Sequence, residues 1–176
     1  VGDDLRITKH PASRVGTYAN RMIHAESNQL IIGPHAIDTG GLVRTFETLV
    51  DVRLTATARH LTDPARKVYF LGMEGELFEA DVRTMEARQI ADLCQELGIR
   101  ERPHFKDAYT GHGRLVVANN TFFAEDFECG AGGGRLAEWD GRTWTILART
   151  QFNTVTGRMS PRLGTAIYAV GQDRAS

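Results

Sequence analysis

Apolar residues along this chain come in short runs that alternate with polar positions at a spacing of two. Lys67-Val-Tyr-Phe-Leu71 is followed after a Gly-Met-Glu turn by Gly75-Glu-Leu-Phe-Glu-Ala-Asp81, in which Leu77 lies between the polar Glu76 and Glu79. That arrangement predicts two strands joined by a tight hairpin. Val52-Arg-Leu-Thr-Ala-Thr-Ala-Arg59 supplies a strand upstream, turned into the apolar run by Thr62-Asp-Pro-Ala, and another strand is expected after Val82-Arg-Thr84. Each unit therefore has four strands.

The units repeat. Gly75-Glu-Leu-Phe-Glu-Ala-Asp-Val-Arg-Thr84 returns downstream as Gly134-Arg-Leu-Ala-Glu-Trp-Asp-Gly-Arg-Thr143. Upstream, a single ungapped offset sets Leu30-Ile-Ile-Gly33 on Tyr69-Phe-Leu-Gly72 and Val43-Arg-Thr45 on Val82-Arg-Thr84. Val116-Val-Ala118 falls on Phe70-Leu-Gly72 as a further copy of the apolar run, and Ile167-Tyr-Ala-Val-Gly171 follows near the end. The Asp that opens each Asp-x-Arg-Thr is turn chemistry, since its carboxylate reaches its own backbone two residues on. The spacing Ile90, Leu93, Cys94, Leu97 predicts one short helix over about Met85 to Gly98, at the connection between the second and third units.

Four-stranded antiparallel units at intervals of about 40 to 50 residues resemble the blades of a β-propeller. The Asp81-Val-Arg-Thr84 ending is similar to the hairpin of kelch-like, quinoprotein-like and surface-layer propeller repeats, whereas Trp139-Asp140 sits inside the third strand and not where a WD repeat carries it. The resemblance implies an all-β chain of about three and a half blades, a single partial propeller over 1–176. Its units are about 1–50, 51–98, 99–157 and an incomplete 158–176. Propellers close with about four to eight blades. The chain is thus expected not to close a ring alone, the missing blades coming from a longer polypeptide of which it is part or from an oligomer.

Charge changes the picture by subtraction. A net charge of -1 with acids and bases interspersed gives no clustered basic face, so nucleic acid is set aside as a partner. No apolar stretch has the length of a membrane span. Localisation is left open by the sequence. Cys94 is expected buried in the short helix, Cys129 lies in a loop, and a disulfide between them would need an oxidising compartment.

Superposing the repeats places His35, Glu74, Asn120 and Asp173 just past the second strand of successive units, where a propeller would gather them around the mouth of its channel. His104 and Arg53 would approach from the neighbouring connection, with Asn119 and Glu76 as further candidates. The third unit has a b-to-c loop longer than that of the second, carrying Phe122, Phe123 and Phe127 before a glycine run, and this suits a lid. Imidazole, carboxylate and guanidinium groups in one mouth fit acid–base cleavage of an acidic sugar. Propellers of this general plan include polysaccharide lyases and glycosidases.

One reading is therefore a carbohydrate-directed lyase or glycosidase, or part of one, with ligand at the b-to-c/d-to-a face. His35, Glu74, His104 and Arg53 would be catalytic, and Asn119, Asn120, Asp173 and Phe123 would bind ligand. A divalent metal is compatible with those side chains, although no short ligand motif is present. The alternative is a non-catalytic scaffold that holds a protein or glycan on the same face. His24, His60 and His112 and the recurring Arg44, Arg83 and Arg142 are expected on the opposite rim, the arginines bracing turns.

Overall fold

The structure, a computed structural model, describes residues 21–24, 27–99, 103–121, 135–149, 151–160 and 164–172. Its strands fall into successive antiparallel sheets. The first joins β1 (Arg21–His24), β2 (Gln29–Ile32), β3 (His35–Asp38) and β4 (Val43–Thr45). The second joins β5 (Leu54–Arg59), β6 (Lys67–Gly72), β7 (Glu76–Asp81) and β8 (Glu86–Asp92), and the third β9 (Pro103–Gly111), β10 (Arg114–Thr121), β11 (Arg135–Trp139) and β12 (Trp144–Arg149). A fourth pairs β13 (Gln151–Ser160) with β14 (Gly164–Gln172). Within each sheet neighbouring strands are also neighbours in sequence, so every connection is a hairpin.

These sheets are blades. The first strand of each lies against the first strand of the next, β1 on β5, β5 on β9 and β9 on β13. Between the first two, Ile31, Ala36, Phe46 and Leu49 meet Val68, Phe70, Phe78, Ala80 and Val82 in one core, with the Phe46 and Phe70 rings edge to face at 5.2 Å. Between the second and third, Ala56, Tyr69, Leu71 and Leu77 meet Phe105, Leu115, Val117 and Ala137. Flanked by a sheet on either side, β6 thus buries both faces, which is why it reads as a continuous apolar run and not as an alternation. The fold is propeller-like, mostly β, and its sheets do not close into a ring among the described residues.

Polar links reinforce the junctions. The Arg44 guanidinium donates to the carbonyls of Val82 and Arg83 at 3.0 Å each, tying β4 to the turn of the second sheet. Thr110 Oγ1 donates to the Arg59 carbonyl at 2.6 Å, joining the third sheet to the second. Arg44 therefore braces a turn, as expected, but the turn belongs to its neighbour.

The aspartate turns are confirmed atom by atom. Asp81 Oδ1 accepts the backbone N–H of Arg83 at 2.8 Å and of Thr84 at 3.2 Å, and Asp140 Oδ1 those of Arg142 and Thr143, both at 2.8 Å. In the first sheet Asp38 holds the same place at the end of the third strand and accepts from Leu42 N at 2.9 Å. Superposing Asp38, Asp81 and Asp140 makes Ile37, Ala80 and Trp139 equivalent, and their cross-strand partners are Leu30, Val68 and Leu115.

That register corrects the alignment made from sequence. Leu30 corresponds to Val68, not to Tyr69, and Val68 to Leu115, not to Arg114. The consequence is large because a slip of one position exchanges the two faces of a strand. Val43–Thr45 is a strand, whereas Val82–Thr84 is a turn, so their likeness is not structural.

The helix lies within its predicted window but is confined to α1 (Leu93–Glu96), and Glu86–Asp92 is the outer strand of the second sheet. Asp92 caps it, accepting from Cys94 N at 2.9 Å and Gln95 N at 3.3 Å.

Candidate functional site

The b-to-c end of the second sheet is built from one tight turn. Gly75 adopts φ +103°, and a Cβ there would stand 2.8 Å from the Phe105 ring and 3.0 Å from Cys94 Sγ. Only glycine lets the turn come this close to both the helix and the third sheet. The backbone then connects three elements: Met73 N donates to the Arg53 carbonyl at 2.8 Å, Phe105 N to the Met73 carbonyl at 3.0 Å, and Leu93 N to the Gly75 carbonyl at 2.9 Å.

This turn gathers acids. Cys94 Sγ donates to the Glu74 carbonyl at 3.1 Å and is a free thiol. Burial pushes it up to about 11, and the negative charges of Asp92, Glu76 and Glu74 push the same way. Glu76 faces Asp92 across the β7–β8 ladder, its carboxylate lies over Gly72, and its buried Oε2 has no hydrogen-bond partner. Glu74 and Glu96 are exposed alongside. Arg53 is the exposed base adjoining this turn.

The predicted site residues take different stations. His35 opens β3 and its Nδ1 is 3.0 Å from Thr45 Oγ1, on the first sheet's outer face. Glu74 stands in the turn itself. Asn120 is inside β10, opposite the half-buried His104 in β9. These positions are not equivalent in the corrected register, in which His35 corresponds to Phe78 and Ala137. Glu74, Arg53 and His104 lie on elements joined at one end of the second and third sheets. Asn119 is only 1% exposed, and its Oδ1 accepts from Arg135 N at 2.9 Å, supporting the bulge after Ala118; its Nδ2 is buried without a partner. Asp173, Phe123 and Cys129 lie outside the described residues.

Asp92 was missed, though an Asp directly before Leu-Cys-Gln carries the signature of a helix cap. Among the described residues, no three His, Cys, Asp or Glu side chains form a set that could hold a metal ion. Nor is any described helix long and apolar enough to cross a membrane.

A close imidazole–carboxylate pair lies elsewhere, on the second sheet. His60 Nδ1 accepts from Asp63 N at 3.0 Å and Thr62 N at 3.3 Å, which leaves the proton on Nε2 to donate to Glu79 Oε2 at 2.9 Å. Lys67 and Arg88 donate to Oε1 of the same carboxylate at 3.0 and 3.1 Å. The Tyr69 ring covers His60 at 4.7 Å and meets Trp139 at 5.9 Å, with Trp144 stacked beyond it at 5.7 Å. Burial raises the Tyr69 phenol to about 12. Committed to two backbone donors, a carboxylate and an aromatic cover, His60 is a structural histidine.

No family model matches the chain, and no curated protein matches it. Among solved structures, the β-propeller domain of Cps50 (Swd1) from Myceliophteria thermophila is similar over 81% of this chain and 67% of its own, at 12% identity and a TM-score of 0.38. PorZ of Porphyromonas gingivalis, an essential bacterial surface component of the type-IX secretion system, is similar over 83% of this chain at 10% identity and a TM-score of 0.33, and the match covers 26% of PorZ.

Proposed function

We propose that this chain is a non-catalytic binding scaffold of the kelch-like or quinoprotein-like propeller kind. Its binding surface is the end of the second and third sheets around Met73–Gly75 and α1, and its ligand is a protein segment bearing basic side chains. One observation carries the reading: Glu76 and Asp92 are cross-strand partners on β7 and β8, Asp92 accepts from Cys94 N at 2.9 Å, and Cys94 Sγ donates to the carbonyl of Glu74 at 3.1 Å, so three acidic residues gather at one turn, with Glu74 and Asp92 exposed. A surface of that sign attracts lysine and arginine and repels uronates. The carbohydrate-directed alternative, a lyase or glycosidase working through His35, Glu74, His104 and Arg53, draws no support from this charge.

The test is titration of the folded chain with a Lys/Arg-rich peptide, a uronate oligosaccharide and a neutral glycan, at low and high salt. The peptide should bind, more weakly as salt rises, and Glu74→Gln with Glu76→Gln should weaken it further. Binding or cleavage of the uronate, with the peptide inert, would replace the scaffold reading with the carbohydrate one.

A further inference from the structure

Asn119 stands near the end of β10, where the first two sheets have no polar side chain. Leu30, Val68 and Leu115 are equivalent, which sets Asn119 on Gly72 of the second sheet and Pro34 of the first. Its Oδ1 accepts from Arg135 N at 2.9 Å, and because a backbone N–H requires an acceptor, this contact also fixes which end of the amide carries the donors. Nδ2 is buried with no partner, in a residue 1% exposed. An amide N–H held out of water and unpaired is costly, so the position is prepared for an acceptor.

The side chain faces the seam between the second and third sheets. Val117 and Leu115, two and four positions earlier on the same strand, lie in the core shared with the second sheet, and so does Phe105, the cross-strand partner of Asn119. Phe105 rests against the Gly75 turn, and Leu93 and Leu97 join the same core from α1 and its C-terminal end. The exposed Glu74 in that turn, Asp92 at the helix cap and Glu96 within the helix rim the seam. Their field repels a carboxylate or phosphate, so the acceptor that suits Asn119 is an uncharged one. We propose that Asn119 binds a main-chain carbonyl of the basic segment assigned to this surface, while lysine or arginine side chains of that segment pair with the acidic rim. The proposal rests on the peptide-binding reading above and adds to it a donor that reads the backbone. Asn119 lies two residues from the end of β10, so its amide is reached from the open end of the sheet by side-chain movement, without separating strands.

Titration of the whole chain with the Lys/Arg-rich peptide, and with analogues in which one backbone amide at a time is replaced by an ester, tests this. An ester carbonyl is the weaker acceptor. Asn119→Asp keeps the Oδ1 that Arg135 N needs and, at mildly alkaline pH where the new carboxyl is ionised, removes the donor. One ester should weaken binding to wild type by about threefold to tenfold, the worth of one neutral hydrogen bond, and should make no difference to Asn119→Asp. The coupling is read and not the affinity alone, because the added negative charge itself attracts a basic peptide. Circular dichroism melts identify a variant that fails to fold, and Asn119→Ala then replaces Asn119→Asp. Salt-dependent peptide binding in which every ester acts equally on wild type and variant, the result expected of a donor satisfied by buried water, overturns this inference and leaves the scaffold reading standing. A wild type that binds no basic peptide overturns both.

Discussion

Removing the Glu79 side chain should cost more than any other substitution in its network. The carboxylate accepts from His60, Lys67 and Arg88, but these partners stand in different surroundings: the side chains are 8%, 30% and 75% exposed respectively. Glu79→Ala leaves the buried His60 Nε2–H unsatisfied, which costs about 1–3 kcal/mol. The Lys67 and Arg88 pairs add about 0–1 kcal/mol each, with Arg88 at the low end because water already screens it. The expected total is about 2–3 kcal/mol, against under about 0.5 kcal/mol for Arg88→Ala.

Acid should reveal the same group. Burial alone would raise the Glu79 carboxyl, but donation from Lys67, His60 and Arg88 outweighs it and holds the group below its ordinary value. Its contribution is therefore complete above the unfolded value of about 4.3 and is lost as pH falls through the lower folded value. Urea unfolding followed by tryptophan fluorescence, at neutral and acid pH, reads both effects. Equal midpoints for Glu79→Ala and Arg88→Ala at neutral pH would refute the assignment of the cost to His60.

Gly75→Ala should destabilise by about 2 kcal/mol or more, since it demands φ +103° and drives a Cβ to 2.8 Å from Phe105; a thermal melt checks it. Arg44→Ala should cost about 1–2 kcal/mol by releasing the Val82 and Arg83 carbonyls, measured by denaturant unfolding, with Leu42→Ala at an exposed turn position near neutral. The half-buried Cys94, with its thiol pushed up to about 11, should alkylate slowly at neutral pH and faster as pH rises toward that value, followed by peptide mass mapping; rapid modification at neutral pH would contradict that upward shift.

Strand number, strand order and turn chemistry were legible because they depend on local pattern. The interleaved apolar and polar positions of Glu76–Asp81 and the aspartate at each turn read through to β7 and to the paired N–H bonds, although Leu77 and Phe78 are both buried. Register was not legible, because both runs are apolar at every position, so Tyr69-Phe-Leu matches Leu30-Ile-Ile equally well one position either way. His35, Glu74 and Asn120 were aligned through that error, and the ring of polar positions dissolved with it. The helix was overextended for a related reason: Glu86–Asp92, an outer strand with both faces partly in water, has no alternation to declare itself, and Ile90 falls by chance at helical spacing from Leu93 and Cys94. His60 is buried on a turn, and its partner Glu79 is distant in sequence, reached only through the hairpin register.

The face-to-face stacking of blades in this register is tested most directly by proton–proton contacts between aromatic rings in solution. The account predicts cross-peaks from the Phe70 ring to Phe46 and from the Tyr69 ring to Trp139, because adjacent residues of β6 face opposite neighbours. Cross-peaks from Tyr69 to Phe46, with Phe70 reaching Trp139, would reverse the faces and contradict it.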